Sequence, residues 1–589
     1  MRALLPLLLL ACGTSSPDTG DTDADTDATV DTDADDGTPS IVDCPGGPGC
    51  ADSDDRTLRA GVAVRDANPA CYESWIDHNG NFTFQRGIDE LLDCGCDRLC
   101  PGDAGYTGPD EGEGDGVPRW IWVAGYQNNK PAMGVRGADQ GLMGEGDGLE
   151  VRALVLDQGQ TRIALVTIDA IGWMHDDNLR RREKVIAAGL DVDHVIITSS
   201  HSHAAPDSMG IYGRTQSDGG YDLDYALQVD DAVVAAVTEA VAGLTEVTMS
   251  ITEIDTNTKF PNGVANLIND SRDPWIVDPR VGVIQLADQG GAPVATVVHW
   301  ANHPESFGDD NAMISAGFVH PLRTGIESGT KWKDGSGKPG IGGTVLYVQG
   351  TVGGMMTSLG TSVVDPTGAV WNRSSFERED AVGMLVAELV LEGLPGLKPV
   401  SEPRLAVAAE LVYLPVVNIG FQAMFSLGVF EHRTAWNYDA EQVVDDENQP
   451  DIRTEVDVLD LGPVRMLTIP GELFPENAIG GYDGKWLPPT GATLVDERNP
   501  NPPDLTQAPS GPYLLDELGG EMNWILGLGM DEVGYLIPPY NFKLGPAPYL
   551  AEAEGDHYEE TNSLGPDTWP ILEAAARELL TYVDAKSEE

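Results

Sequence analysis

The sequence predicts an α/β protein: one large mixed-sheet domain preceded by a small disulfide-rich segment. Three observations carry this. Apolar, β-branched runs alternate with helical-period segments through residues 117–589. No internal repeat and no second low-complexity stretch interrupts them. Six of the seven cysteines fall between 44 and 100, which marks a braced segment ahead of the body.

From the start of the chain, Arg2 and the apolar run Ala3–Ala11 form a short export signal, too short to span a bilayer. Leu9-Leu10-Ala11-Cys12 resembles a bacterial lipobox, so residues 1–12 predict a lipoprotein signal with Cys12 as the lipidated residue. Gly13 follows Cys12, so no acidic retention residue is present, and an outer-membrane or cell-surface anchor is expected. Residues 13–40, rich in Asp and Thr, predict a disordered tether.

Residues 41–116 predict a Cys-, Asp- and Gly-rich module. With Cys12 set aside, Cys44, Cys50, Cys71, Cys94, Cys96 and Cys100 are an even set in an exported chain, so three disulfides are expected, with 15 pairings open. Asp77, Asn79 and Asn81 alternate like the opening of a calcium loop, and Asp89 follows, so Ca2+ is a second candidate ligand.

In the body, residues 149–157 and 161–172 read as a hairpin around Gly159. Asn178–Leu190 reads as a helix, 194–200 as a strand and Tyr225–Leu244 as a helix. Residues 281–288, 293–300 and 343–350 are further strands, while Phe376–Leu394 and Trp569–Ala585 are helices.

Composition limits function. A net charge of −60, from 95 acidic and 35 basic residues, repels nucleic acid and anionic lipid. Beyond the lipid anchor no membrane contact is expected, and the body is expected to be a monomer. No GxSxG nucleophile elbow occurs, and Ser202 would point away from its flanking histidines. GSGKPG at 335–340 precedes a strand and contains Pro339, which argues against dinucleotide binding.

The chemistry concentrates at strand ends. His201 and His203, in TSSHSHAAPDSMG, are two apart, and in extended backbone both would face one pocket. In PVATVVHWANHPESFG, Pro304 keeps His303 out of a helix and His303 is the expected ligand, with His299 structural. In VRMLTIPGELFPE, Pro470-Gly471 delivers Glu472 from a strand end. Asp169 closes another strand and is placed to orient an imidazole. Nitrogen and oxygen donors with one open position suit Zn2+ and a hydrolytic water.

The order of these pieces resembles the catalytic domain of the neutral, alkaline-active (non-lysosomal) ceramidase family over roughly residues 117–585. The family's THTHSGPGG is similar to SSHSHAAPDSMG, and its asparagine-aromatic-x-x-His element to HWANHPES. Its QGxxGD resembles the run from Gln349 to Gly354, its S-x-D element the run from Ser315 to Phe318, its PGE Pro470-Gly471-Glu472, and its GY Gly534-Tyr535. HYEETNSLGP is similar to the family's tail. The resemblance implies one zinc held by His201, His303, Glu472 and Tyr535, with His203 facing water and substrate as the catalytic partner. It implies cleavage of the amide of an N-acyl lipid such as ceramide. Three departures stand out. The acids of two motifs are Gly317 and Gly354 here, the Gly-Gly floor is altered, and the family's C-terminal immunoglobulin-like domain is not expected. These leave two alternatives: hydrolysis of another amide or ester, or a non-catalytic surface lipoprotein on the same fold.

Overall fold

Strands dominate the centre of the molecule because β-branched runs pair over long sequence distances. The computed structural model describes residues 41–587 except 48, 49, 145, 355, 446 and 548. The signal at 1–12, Cys12 and the tether at 13–40 lie outside the described residues.

The larger sheet has nine strands. Its main path runs Thr344–Gln349, Pro293–Trp300, Arg280–Asp288, Thr245–Asp255, Leu58–Asp66, Glu150–Gln158, Thr161–Ile168 and His194–Ser199, and Lys398–Pro399 pairs with Thr245–Asp255. It is mixed: Pro293–Trp300 runs parallel to Thr344–Gln349, and Thr161–Ile168 parallel to His194–Ser199. The expected hairpin forms, with Val151 opposite Ile168 and Gln158 opposite Thr161. A second sheet of five strands runs Ile41–Cys44, Ala406–Pro415, Asp451–Asp460, Val464–Ile469 and Met522–Gly527.

The two sheets face each other across an apolar layer that includes Leu154, Leu165, Ile196 and Val297 from one and Leu459, Val464 and Trp524 from the other. Gly282 lies where a Cβ would meet the Trp524 indole at 2.3 Å, so only glycine admits that ring between the sheets. Helices cover both outer faces. Leu223–Ala242 packs on Leu58–Asp66 and Glu150–Gln158, and Val319–Glu327 and Phe376–Gly393 pack on each other and on the other half of the sheet. Thr568–Ser587 covers the smaller sheet. The result is a four-layer α/β/β/α arrangement.

The expectation of a separate module at 41–116 gives way here. Leu58–Asp66 lies inside the nine-stranded sheet and Ile41–Cys44 edges the smaller one. Strand pairing to residues more than 80 positions away ties this stretch into the body. All six cysteines pair, as Cys44–Cys50, Cys71–Cys96 and Cys94–Cys100.

The expected calcium oxygens are engaged with their own loop. Asp77 accepts from the amides of Asn79, Gly80 and Phe82, at 3.0, 2.6 and 2.8 Å. Asn79 and Asn81 accept from the amides two residues on, and Asp89 from those of His78 and Gln85. These side chains close a turn by capping amides.

Candidate metal centre

The site sits where the ends of four strands converge at one end of the two-sheet stack. His201 and His203 follow His194–Ser199, His303 follows Pro293–Trp300, Glu472 follows Val464–Ile469, and Tyr535 follows Met522–Gly527. Gln349 stitches the two histidine loops together. Its buried amide donates to the carbonyls of Ser200 (3.1 Å) and Asn302 (2.9 Å), and its Oε1 accepts from Asn302 N at 3.2 Å. A short parallel pairing of Glu472 with Tyr535 and Leu473 with Leu536 joins the other two loops.

His201 and His203 share one site, but strand alternation does not put them there. The strand ends at Ser199, and His201 has a φ of 69°, a left-handed conformation uncommon outside glycine. That turn swings the imidazole into the site. Ser202 turns away, donating to Ser315 O at 2.7 Å.

The imidazoles of His201, His203 and His303 gather with nitrogens within 4.8 Å of one another. Nδ1 of His201 lies 2.6 Å from Ile171 O, and Nδ1 of His303 lies 2.7 Å from Met356 O. A carbonyl only accepts, so each Nδ1 carries the proton and each Nε2 presents a lone pair. Both lone pairs face Glu472 Oε2, at 3.4 Å from His201 and 3.0 Å from His303. All three side chains are buried. Two nitrogen lone pairs and a carboxylate oxygen aimed at one another repel unless a cation or protons lie between them, so this donor set fits a borderline divalent ion. In the bare protein, burial penalises both charges, yet mutual attraction outweighs it. Glu472 is held at about 2 by the two imidazoles, and His303 is lifted to about 9 by Glu472. Tyr535 joins the same wall beside Glu472, and burial pushes its phenol well up.

Asp169 does not orient an imidazole. Its carboxylate is taken by Arg323, at 2.9 and 2.7 Å, and by Glu150 N at 3.0 Å. Backbone carbonyls do the work assigned to it. His299 is structural as expected: Nε2 sits 2.8 Å from Ile525 O, with the ring stacked on Trp524.

Beside the centre runs a largely apolar pocket. His201, His203, Glu472 and Tyr535 line it together with Met209, Phe421, Phe425, Phe430 and Leu564. Tyr558, Tyr212 and Glu532 share its wall. The sequence reading missed all of these. Ile419, Phe421, Ala423, Met424 and Phe425 are apolar within the eight-residue helix Ile419–Ser426, which is the one signal that could have drawn attention to Phe421 and Phe425. Glu305 was also missed, although it stands only two residues beyond His303.

No family model matches the chain, and no curated protein matches it in sequence. Solved structures do. The neutral ceramidase from Pseudomonas aeruginosa aligns with a TM-score of 0.54 at 12% identity, covering 90% of this chain and 75% of that one. A ceramidase complexed with C2 aligns with a TM-score of 0.54 at 11% identity, covering 90% and 76%. The chain has the fold of the neutral ceramidases.

Proposed function

We propose that the protein is a zinc-dependent hydrolase that cleaves the amide bond of an N-acyl lipid, ceramide being the first substrate to try. One observation carries this reading. The Nε2 atoms of His201 and His303 face the Glu472 carboxylate beside an apolar pocket. His201, His303 and Glu472 would hold the ion, with Tyr535 as the fourth protein ligand. When bound, the ion would polarise the scissile carbonyl and acidify a water molecule.

The chain's own groups do the rest. Phe421, Phe425 and Phe430 receive the acyl chain and keep bulk water from the carbonyl. His203 stands beside the ligand set, with Nε2 3.3 Å from Nε2 of His201. It takes a proton from the attacking water and returns it to the departing nitrogen. The new C–O bond replaces the C–N bond, and a carboxylic acid and an amine leave. Export with lipidation at Cys12 belongs to the same proposal, and three disulfides fit an oxidising compartment.

The test is metal analysis of the purified protein together with turnover of a fluorescent ceramide. One zinc per chain, lost in His201→Ala with turnover, is expected. Full zinc in His201→Ala would overturn the ligand set. Stoichiometric zinc without ceramide turnover would keep the centre and move the search to other N-acyl amides and esters.

A further inference from the structure

The three imidazoles of the centre are not held alike. His201 and His303 each give Nδ1–H to a backbone carbonyl. His203 has a carboxylate instead: its Nδ1 lies 3.5 Å from Glu305 Oε2. That nitrogen is buried and makes no hydrogen bond in this structure, and the Glu305 carboxylate is the group poised beside it. Glu305 is 7% exposed and His203 is largely buried, so little water competes for the contact.

The surroundings are built around this pair. The Tyr126 phenol donates to the same Oε2 of Glu305, and its ring sits 5.4 Å from the His203 ring. The backbone amide of His203 donates to Pro304 O at 3.2 Å, which pins the histidine to the loop that carries Glu305. Gly125 has a φ of 84°, and a Cβ there would press on His203 Nδ1 at 2.8 Å. Glycine therefore leaves room for the ring to stand where Glu305 reaches it.

The difference in partner has a chemical meaning. A carbonyl holds a neutral imidazole in one tautomer, which suits a metal ligand. A carboxylate does this and also stabilises the imidazolium that forms when the ring accepts a proton, which suits a general base.

We propose that Glu305 is a positioning residue for His203. It accepts from Nδ1–H, holds the ring with the Nε2 lone pair facing the centre, and balances the positive charge that appears during proton transfer. Tyr126 orients the carboxylate. This rests on the hydrolase reading for its purpose, but its geometry can be tested without turnover.

The experiment uses the full zinc-loaded chain with 15N-labelled histidine, the His203 signals being identified by their loss in His203→Gln. Ring-nitrogen spectra report which nitrogen carries the proton. In the wild type His203 should be protonated on Nδ1, and Glu305→Ala should move the proton to Nε2 with zinc stoichiometry unchanged. With fluorescent ceramide, Glu305→Ala should lower kcat about 100-fold or more with KM within about twofold. Glu305→Gln keeps an acceptor without the charge, so it should restore the tautomer and only part of kcat. It also carries the test if the alanine variant folds poorly. In a His203→Ala background, Glu305→Ala should add no further loss. An unchanged tautomer, lost zinc, or an equal loss in both backgrounds would overturn the proposal. A tautomer shift in a protein that turns over no ceramide would support it and count against ceramide as the substrate alone.

Discussion

Gly353→Ala should damage the metal centre from outside it. A Cβ at Gly353 would stand 2.3 Å from Phe474 N, 2.5 Å from Leu473 C and 2.6 Å from Glu472 O. All three are backbone atoms, so no side-chain rotation relieves the clash. Ordinary contact needs about 3.5 Å, so the segment carrying Glu472 must retreat by about 1 Å. Metal donors tolerate errors of about 0.2 Å. The shift also weakens the bond from Gly353 N to Leu473 O, now 2.9 Å. Overpacking of this kind costs about 1–3 kcal/mol of stability, and displacing a ligand's support weakens metal binding roughly 10–100-fold. Zinc titration by calorimetry reads the affinity, and thermal unfolding of the metal-free protein reads the stability. Gly396→Ala is the control, because its new methyl meets only Thr252 Oγ1 at 3.8 Å. Wild-type zinc affinity in Gly353→Ala would refute the claim that this glycine sets the position of Glu472.

Three further outcomes are expected. Asp169→Asn should lose roughly 3 kcal/mol of stability by weakening the buried pair with Arg323, while zinc stoichiometry and kcat hold; lost zinc would return Asp169 to the site. Phe425→Ala should raise KM roughly tenfold for long-chain N-acyl substrates and leave short-chain ones unchanged, and equal effects on both would remove Phe425 from the acyl path. The metal-free protein should become less stable between pH 6.5 and pH 8. Burial raises Glu379 to about 8 and Glu476 and Glu559 to about 7, so these groups hold more protons in the folded state than in the unfolded state and lower the unfolding free energy as pH rises. Burial lowers His175, His299 and His432 to about 4 and His194 to about 3, which acts the other way, but that contribution is complete once pH passes the unfolded value of 6.5. His303, despite burial, is lifted to about 9 by Glu472, so its contribution is full below the unfolded value of 6.5 and fades through 9, in the same direction as the three carboxyls. Thermal unfolding in chelator should show Tm falling across that window and falling less in Glu379→Gln; a rising Tm would contradict the sign.

The parts of the fold legible in the sequence were those set by local pattern. The hairpin at 150–168, the strands leading to His201 and His303, and the helices Leu223–Ala242, Phe376–Gly393 and Thr568–Ser587 all have a periodicity that a short window contains. Pairing of Ile41–Cys44 with Ala406–Pro415 does not, since its partner lies more than 360 residues away. This is why residues 41–66 passed for part of a separate module. The four proposed ligands were legible as strand-end residues in a family order. Their supports were not, because carbonyls of Ile171 and Met356 carry no residue signature. Asp169 carried the expected signature of a positioning acid, and Arg323, 154 positions away, claims it.

The two missing acids bear most directly on whether the centre has decayed. Gly317 and Gly354 have φ values of 68° and 81°, where side chains with a Cβ are strained. A Cβ at Gly317 would press on Pro304 at 2.7 Å, and one at Gly354 would meet the Asp270 carboxylate at 3.1 Å. An acid at either position would therefore collide with the loop that carries His303 or with a carboxylate supplied from elsewhere in the chain. Nearby, Ser315 Oγ is held by Asp147 and Glu379, at 2.7 and 2.9 Å. The acids are absent where the backbone has no room for them, and buried carboxylates from other segments stand beside both positions. Decay would predict drift at the donor atoms themselves. Instead His201 and His303 keep the tautomer a metal needs, and Glu472 Oε2 stays within 3.4 Å of one Nε2 and 3.0 Å of the other. The glycines at 317 and 354 thus leave His201, His303 and Glu472 gathered as the hydrolase proposal requires.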